Sequence, residues 1–352
     1  MAVAEAVLRE PASDVLLSIR DLKVSFHTYA GTVHAVRGVS FDLKRHGALA
    51  VVGESGCGKT VTVQAVMRLT PMPPGTIEGG KVFFNGRDIL TLSEKEMQAV
   101  RGKEIGMVFQ DPMTGLNPTM TVGRQIAEGL IKHQGMSAHQ AWKRAVELLH
   151  MVEIPNPDIR ARQYPHQFSG GMRQRAMMAI ALACQPELLI ADEPTTSLDV
   201  TIQAQILDLL KDLQQKLGMS LILITHNLGV VARLAEDIVV MYAGKVVEKG
   251  KASDIFYRSR HPYTRDLLRS VPRLDAPERQ ALASIPGTPP DLFVPPPGCA
   301  FAPRCRYTMK ICLEAEPEMT EARPGHFAAC WLWHPDNPSP PVRDFKEGGG
   351  DR

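Results

Sequence analysis

The chain has 352 residues, of which 44% are apolar and 22% charged, a balance typical of a globular protein with ample material for a core. A formal net charge of +2 is too small to indicate a nucleic-acid partner by itself. Residues 1–10 lack a basic segment followed by an apolar core, and no apolar run reaches the roughly 18–20 residues that span a bilayer. We therefore expect a cytosolic chain, whose six cysteines favour metal or redox chemistry over disulfides.

The first part of the chain predicts two strands. Residues 1–15 are expected to be a flexible leader. Apolar and polar residues alternate from Leu16 to Phe26 and again from Val36 to Leu43, which indicates two strands of an antiparallel flank. The turn between them contains an aromatic residue, Tyr29.

Residues 53–60 have the pattern of a phosphate loop. They read GESGCGKT and lie between the apolar run 48–52 and the helix-compatible run 61–67. Backbone N–H groups and a helix N-terminus in this arrangement can wrap a polyphosphate, with the lysine on the β and γ oxygens and the threonine hydroxyl on Mg²⁺. The ATP-binding residues predicted here are Gly53, Ser55, Gly56, Cys57, Gly58, Lys59 and Thr60.

Two cysteines lie outside the C-terminal part of the chain. Cys57 stands beside Lys59 at a helix N-terminus, and this setting predicts a lowered thiol pKa. We expect alkylation of Cys57 to block ATPase activity and bound ATP to protect it. Cys184, at a helix end, is expected to be a core residue.

Three buried strands are each followed by a polar residue suited to phosphate chemistry. The strand 105–109 leads to Gln110, which can reach both Mg²⁺ and the attacking water. The strand 188–191 ends at Asp192 and Glu193; we predict that Asp192 holds Mg²⁺ through water and that Glu193 polarises the attacking water. The strand 221–225 delivers His226, for which we predict a γ-phosphate contact.

A helical segment separates the glutamine from the carboxylates. Residues 121–165 have helical apolar spacing, and a long helix follows the residues Ser169, Gly170 and Gly171. A serine and two glycines at a helix start form either an ordinary cap or a second anion-binding N-terminus. Their place between the glutamine strand and the carboxylate strand favours the second interpretation.

These motifs resemble the ATP-binding subunits of ABC transporters over roughly residues 16–253. The resemblance implies nucleotide contacts for Asp199 as well, and an aromatic that stacks on adenine. Tyr29 is our candidate for that aromatic, with Phe26 as the rival and a plain core role as the remaining alternative. The usual signature begins with Leu and ends with Gln, whereas this chain has Phe168 and Met172. Because the Ser-Gly-Gly is intact, we expect a change in affinity and not in role.

The family pairs head to tail, with two ATP molecules between the phosphate loop of one subunit and the signature of the other. The resemblance therefore implies a second ATPase subunit, either a related paralogue or an identical copy. It also implies two membrane permease subunits, an extracellular peptide-binding protein and a peripheral location on the cytoplasmic face of the membrane. No nucleic-acid partner is expected.

The C-terminal part resembles the extension of dipeptide, oligopeptide and nickel importers, through His261-Pro-Tyr-Thr, Pro272 and Ile285-Pro-Gly. It carries four cysteines: Cys299, Cys305, Cys312 and Cys330. Zinc sites more often have C-x2-C pairs, and the compartment disfavours disulfides. A [4Fe–4S] cluster accepts irregular spacing and agrees with the resemblance, so it is our first choice, with zinc as the alternative.

The predicted fold class is α/β, a phosphate-loop NTPase of the ABC type with a mixed sheet, an antiparallel flank and a helical insertion at about 121–168. We expect the ATPase domain at 16–255, the extension at 256–335 and a disordered tail at 336–352. The predicted function is ATP-driven import of dipeptides or oligopeptides, with nickel import as the alternative. ABC ATPases that act on DNA generally have a long coiled coil between the glutamine strand and the signature, and no heptad run separates Gln110 from Ser169 here. Translation-associated ABC ATPases carry two ATPase modules in one chain, and this sequence has one. Both classes are therefore disfavoured.

Overall fold

The computed structural model describes residues 12–196, 198–270 and 285–337. Most of the predicted leader and tail, and Pro272, lie outside these residues. Within them, no helix is both long and apolar enough to cross a membrane.

The described residues form strands and helices whose bounds position the functional segments. The strands are β1 (Val15–Thr28), β2 (Gly31–Lys44), β3 (Ala48–Val52), β4 (Gly75–Phe84), β5 (Arg87–Asp88), β6 (Ile105–Val108), β7 (Leu188–Asp192), β8 (Ser220–Thr225), β9 (Asp237–Tyr242), β10 (Lys245–Lys251), β11 (Thr320–Arg323) and β12 (His326–Ala328). The α-helices are α1 (Lys59–Val66), α2 (Glu94–Val100), α3 (Pro112–Gly115), α4 (Val122–Gln134), α5 (Ala138–Met151), α6 (Pro157–Arg160), α7 (Gly170–Ala181), α8 (Val200–Leu217), α9 (Leu228–Val231), α10 (Ala252–Arg258), α11 (Pro262–Arg269) and α12 (Lys310–Glu314). Short 3-10 helices occur at Pro165–Gln167, Ala302–Arg304 and Trp331–Trp333.

The chain divides into two compact units. The first comprises Met1–Asp42, Leu49–Leu90 and Thr225–Arg352, and the second comprises Leu43–Ala48 and Thr91–Ile224. The first unit contains the antiparallel sheet β2-β1-β4-β5 and the strand order β11-β12-β10-β9-β3. In that second group β3 runs parallel to β9, while β10, β12 and β11 each pair antiparallel.

An aromatic cluster forms part of the core of the first unit. The rings of Tyr242, Tyr263 and Phe301 are each at most 1% exposed, and their centroids lie 4.6–5.4 Å apart. Tyr242 ends β9, Tyr263 belongs to α11, and Phe301 precedes a 3-10 helix. The cluster therefore joins the sheet to the C-terminal part of the chain by burial of large rings.

The second unit is built on three parallel strands, β6, β7 and β8, in that order. All residues of β7 and β8 are buried, as expected of a parallel sheet covered on both faces. Helices α4 and α5 pack against each other through apolar stripes, and Ser137 starts α5 with a capping box to Gln140.

The predicted elements are confirmed with small changes at their ends. The two flanking strands are longer than predicted and meet at the turn Tyr29–Ala30. The predicted strand at 105–109 ends one residue earlier, at Val108, and the predicted strand at 221–225 begins one residue earlier, at Ser220. The helical insertion contains α4, α5, α6 and the 3-10 helix Pro165–Gln167.

Candidate functional site

The phosphate loop joins the buried strand β3 to helix α1. Gly53 and Gly58 have φ of 156° and 98°, in the region that favours glycine. A Cβ at Gly58 would clash with the carbonyl oxygen of Ala35, and one at Gly53 with that of Met241. Backbone packs so closely against the loop at both positions that only glycine fits.

Lys59 and Thr60 open helix α1. Lys59 is buried, and its ammonium donates to the carbonyl oxygens of Gly53 (2.9 Å) and Glu54 (3.1 Å). The Thr60 side chain follows at the second helical position and is half-buried. The loop therefore places a cation and a hydroxyl at a helix N-terminus, which suits a polyphosphate with its Mg²⁺.

The prediction of a lowered pKa at Cys57 is wrong. Burial raises the pKa of this thiol, and the charge of Lys59 opposes the rise without cancelling it. The Cys57 side chain is 4% exposed, and a Cβ on Gly53 would lie 2.7 Å from its sulfur. The order of residues in the sequence showed that the cation of Lys59 is close to Cys57, but it could not show how completely the Cys57 thiol is buried. Cys184 is buried as predicted.

Glu54 has partners that the sequence did not predict. Its backbone N–H donates to the Tyr263 hydroxyl at 2.7 Å, and its carboxylate forms a bidentate ion pair with Arg304. Both partners come from the C-terminal part of the chain, more than 200 positions away. No local pattern in the sequence signals such contacts.

Gln110 and Glu193 meet in the second unit. Gln110 follows β6, Glu193 follows β7, and the glutamine amide donates to the Glu193 carboxylate at 3.3 Å. Thr196 donates a second hydrogen bond to the same carboxylate at 2.9 Å. The sequence missed this threonine, although a hydroxyl three residues after the glutamate was a local signal.

The backbone at Glu193 is unusual. This residue is 8% exposed and has φ of 43°, a left-handed conformation that non-glycine residues seldom adopt. Its N–H donates to the carbonyl oxygen of Ile224, which ties the turn to β8. Backbone strain of this kind persists only where the surrounding contacts hold the residue in place, and such residues cluster at active sites.

The other predicted polar residues hold defined places. Asp192 is the buried last residue of β7, next to Glu193. Asp199 caps helix α8 and accepts from the N–H of Ile202 at 3.0 Å. His226 directly follows β8 and is exposed.

The Ser-Gly-Gly segment begins helix α7. Ser169 is exposed and accepts from the N–H of Met172 at 3.4 Å, while the preceding Phe168 is buried. A Cβ on Gly170 would lie 3.4 Å from Leu198, and one on Gly171 would lie 3.0 Å from Ile202. The helix N-terminus therefore stands at the surface of its unit, where a ligand from outside can approach it.

The two aromatic candidates for adenine differ in burial. Tyr29 is fully exposed at the turn between β1 and β2, so it is not a core residue. Phe26 is half-buried in β1. An exposed ring is available for stacking on a base, and the assignment to Tyr29 stays a prediction.

The described side chains do not support the predicted [4Fe–4S] cluster or zinc. Within the described ranges no group of three or more His, Cys, Asp or Glu residues could hold a metal ion. The four C-terminal cysteines lie near one another, and burial raises the pKa of Cys299 to about 11 and that of Cys330 further still. We assign no chemistry to such a centre.

Three features described above define a phosphate-loop ATPase of the ABC class. They are the phosphate loop, the glutamate that follows a buried strand and accepts a hydrogen bond from a glutamine, and the exposed helix start at Ser-Gly-Gly. Comparison of the sequence with known protein families gives the same class. Residues 36–196 match the ABC transporter family, and residues 247–312 match the C-terminal region of oligopeptide/dipeptide transporters. The chain therefore belongs to the ATP-binding proteins of the ABC transporter family, which confirms the resemblance and the fold class predicted from the sequence.

Two relatives and one solved structure illustrate the similarity. The chain is 59% identical to the oligopeptide transport ATP-binding protein OppD of Bacillus subtilis, over 92% of this chain and 90% of that one. It is 56% identical to the dipeptide transport ATP-binding protein DppD of the same species, over 90% and 94%. A dimeric ATP-binding cassette in a post-hydrolysis state with ADP and Pi is 28% identical with a TM-score of 0.60, over 67% and 98%.

Proposed function

We propose that this chain hydrolyses ATP to power the import of dipeptides or oligopeptides through an ABC transporter. The observation that carries the proposal is the match of residues 247–312 to the C-terminal region of oligopeptide/dipeptide transporters, on a chain that also has the phosphate loop. The Bacillus subtilis relatives bear oligopeptide and dipeptide transport names, which supports the same substrate class.

In the proposed hydrolysis the phosphate loop binds the nucleotide and Glu193 activates the attacking water. The loop N–H groups and Lys59 hold the β and γ phosphates, and Glu193 takes a proton from the attacking water. Gln110 and Thr196, which donate to the Glu193 carboxylate, fix its orientation. Thr60, Gln110 and Asp192 would hold Mg²⁺, which neutralises charge on the phosphate oxygens. His226 contacts the γ-phosphate.

Transport requires two such chains. In the proposed dimer, Ser169 to Gly171 of one subunit bind the γ-phosphate held by the loop of the other. Shifting a dimer from mostly open to mostly closed takes about 5.5 kcal/mol of differential binding, or roughly 3 kcal/mol for each of two nucleotides. One or two charge-assisted hydrogen bonds supply about that much, so the loss of the γ-phosphate opens the pair.

The remaining partners follow from the same proposal. The ATPase pairs with a related paralogue or with a second copy of itself and docks on two membrane permease subunits. It thus lies peripherally on the cytoplasmic face of the membrane, and an extracellular peptide-binding protein delivers the cargo to the permeases.

Purification from native membranes together with uptake assays tests this function. We expect the tagged chain to bring down two permeases, and cells that carry only Glu193→Gln to lose uptake of labelled dipeptides or oligopeptides. Intact peptide uptake with lost nickel uptake would instead identify a nickel importer. Tight DNA binding at moderate salt, without permeases, would overturn the transport role altogether.

A further inference from the structure

The phosphate loop carries an acidic residue whose charge is matched from far away in the chain. Arg304 and Glu54 form two parallel hydrogen bonds, Nη1 to Oε2 at 2.6 Å and Nη2 to Oε1 at 2.9 Å. The Arg304 side chain is 4% exposed, whereas that of Glu54 is 25% exposed. Bidentate pairing with a nearly buried guanidinium fixes both the position and the direction of the carboxylate.

The guanidinium of Arg304 has an acceptor for each of its five donors. Besides the two bonds to Glu54, Nη1 donates to the Tyr242 hydroxyl at 3.2 Å and Nε to the carbonyl oxygen of Pro286 at 2.8 Å. Nη2 also donates to the carbonyl oxygen of Ile285 at 3.4 Å. A planar fork held at every nitrogen has no freedom to turn, so it acts as a fixed anchor for Glu54.

Tyr263 holds the backbone of the same loop residue. Its hydroxyl accepts from the N–H of Glu54 at 2.7 Å, and its ring is fully buried against Tyr242 and Phe301. Side chain and main chain of Glu54 are therefore both fixed by residues outside the loop. We name Glu54, Tyr242, Tyr263 and Arg304 the Glu54 clasp.

We propose that Arg304 and Tyr263 are positioning residues for ATP binding: through the Glu54 clasp the C-terminal part of the chain holds the phosphate loop in its binding conformation. The loop residues that follow Glu54 lead directly to Lys59, whose ammonium contacts the Glu54 carbonyl oxygen. Arg304 also neutralises a carboxylate that would otherwise repel the triphosphate. Loss of either hold loosens the loop, and loss of Arg304 also leaves the Glu54 charge uncompensated beside the ligand.

Titration with a non-hydrolysable ATP analogue tests the proposal in the full chain. We expect Arg304→Met to raise the Kd about tenfold, the loss that goes with one well-placed charge-assisted bond. Arg304→Lys should not restore affinity, because an ammonium cannot form the fork. Arg306→Met is the matched control: Arg306 lies two positions away and pairs with Asp266, so its Kd should stay within about twofold of wild type.

Steady-state kinetics separates positioning from general damage. Arg304→Met should raise KM for ATP about tenfold while kcat falls less than about threefold, since the groups that act on water lie elsewhere. A purely structural defect would lower the active fraction and hence kcat, with KM unchanged, and that outcome would overturn the proposal.

Two further variants, Tyr263→Phe and Glu54→Gln, keep the proposal testable should Arg304→Met fold poorly. Tyr263→Phe keeps the buried ring and removes the acceptor of the Glu54 N–H, and Glu54→Gln removes the charge that Arg304 matches. Each should weaken binding several-fold, and Glu54→Gln combined with Arg304→Met should be no weaker than the worse single change. Unchanged affinity in the single variants, or effects that multiply, would refute the clasp. Wild-type binding of the analogue in the same assay keeps this failure distinct from a failure of the proposed function.

Discussion

Glu193 is the residue on which the proposed chemistry most directly depends. Glu193→Gln keeps the size of the side chain and an oxygen that can accept from Thr196, but it cannot take a proton from water. We expect kcat to fall by about 10²–10⁴, the usual contribution of a general base, with ATP affinity nearly unchanged. Phosphate release and nucleotide titration measure the two quantities.

Glu187→Gln is the matched control for that prediction. Glu187 immediately precedes β7 and pairs with Arg45 at the surface, so its loss should leave turnover intact. Full turnover in Glu193→Gln would remove Glu193 from the role of base.

Cys57 gives a prediction with a definite pH dependence. Burial raises its pKa above the usual 9.0, so less thiolate is present at any given pH and alkylation should be slower than for an exposed thiol. The rate should keep rising as pH passes 9. Mass spectrometry of the Cys57 peptide over a pH series measures this, and a rate that levels off below pH 8 would contradict it.

Modification of Cys57 should also block ATPase activity. The thiol packs against Gly53 inside the loop, so an added group would displace the loop backbone, and bound ATP should slow the reaction. Cys57→Ser should keep its activity in the same reagent. Equal inactivation of that variant would show that another group is responsible.

Single residues show where sequence reasoning succeeds and where it fails. The glutamine and glutamate were predicted because each ends a strand, and parallel strands bring such ends together. Arg304 could not be predicted, because its partner lies 250 positions away and no periodicity links them. The predicted direction of the Cys57 pKa shift was wrong because burial outweighs the charge of Lys59, and burial is a property of the folded structure.

Helix α11 is an element whose start depends on the charge of one side chain. His261 caps it: the ring Nδ1 accepts from the N–H of Tyr263 at 3.1 Å, which a protonated ring cannot do. Burial lowers the pKa of His261 to about 4 from the ordinary 6.5. The unfolded chain binds the proton more readily than the folded chain. The contribution of His261 to the unfolding free energy is therefore fully present above pH 6.5 and is lost as pH falls from there toward 4.

The pKa difference corresponds to about 3 kcal/mol of unfolding free energy, most of it lost by pH 4.5. Urea unfolding at pH 7 and pH 4.5 measures the loss. His261→Asn keeps a capping oxygen and does not titrate, so its unfolding free energy should fall by about 2 kcal/mol less over this range. An equal fall in both proteins would contradict the assignment to His261.

Whole elements were predicted where their pattern is strong. Helix α8 has a regular apolar stripe, an Asp199 cap and a Gly218 stop with φ of 62°, so the sequence itself marks where this helix begins and ends. The short strands β11 and β12 were not predicted. Thr320–Arg323 is polar and brief, and it forms a strand only because β12 provides the neighbouring edge.

At the scale of the whole molecule, the proposed function requires a pair of chains. Ser169 lies exposed at the start of α7, so Ser169→Arg adds bulk and charge there without disturbing a core. We expect the folded monomer to persist, with an unfolding free energy within about 1 kcal/mol of wild type, and ATP-dependent dimerisation to disappear. Light scattering in a Glu193→Gln background, with and without ATP, measures the association.

Arg162→Met provides the comparison for that test. Arg162 contacts the Trp142 ring in the helical insertion, and its replacement should leave association intact. ATP-dependent dimers of normal stability in Ser169→Arg would remove the signature segment from the proposed interface.

The pairing of β12 with β10 has a practical consequence for shortened forms of the protein. Glu248 and Lys249 of β10 are partnered by Ala328 and Phe327, so the C-terminal residues close an edge of the sheet. A fragment that stops after α10 would leave those main-chain amides and carbonyls open. Another copy could then add its own strand there, and we would expect such a fragment to aggregate.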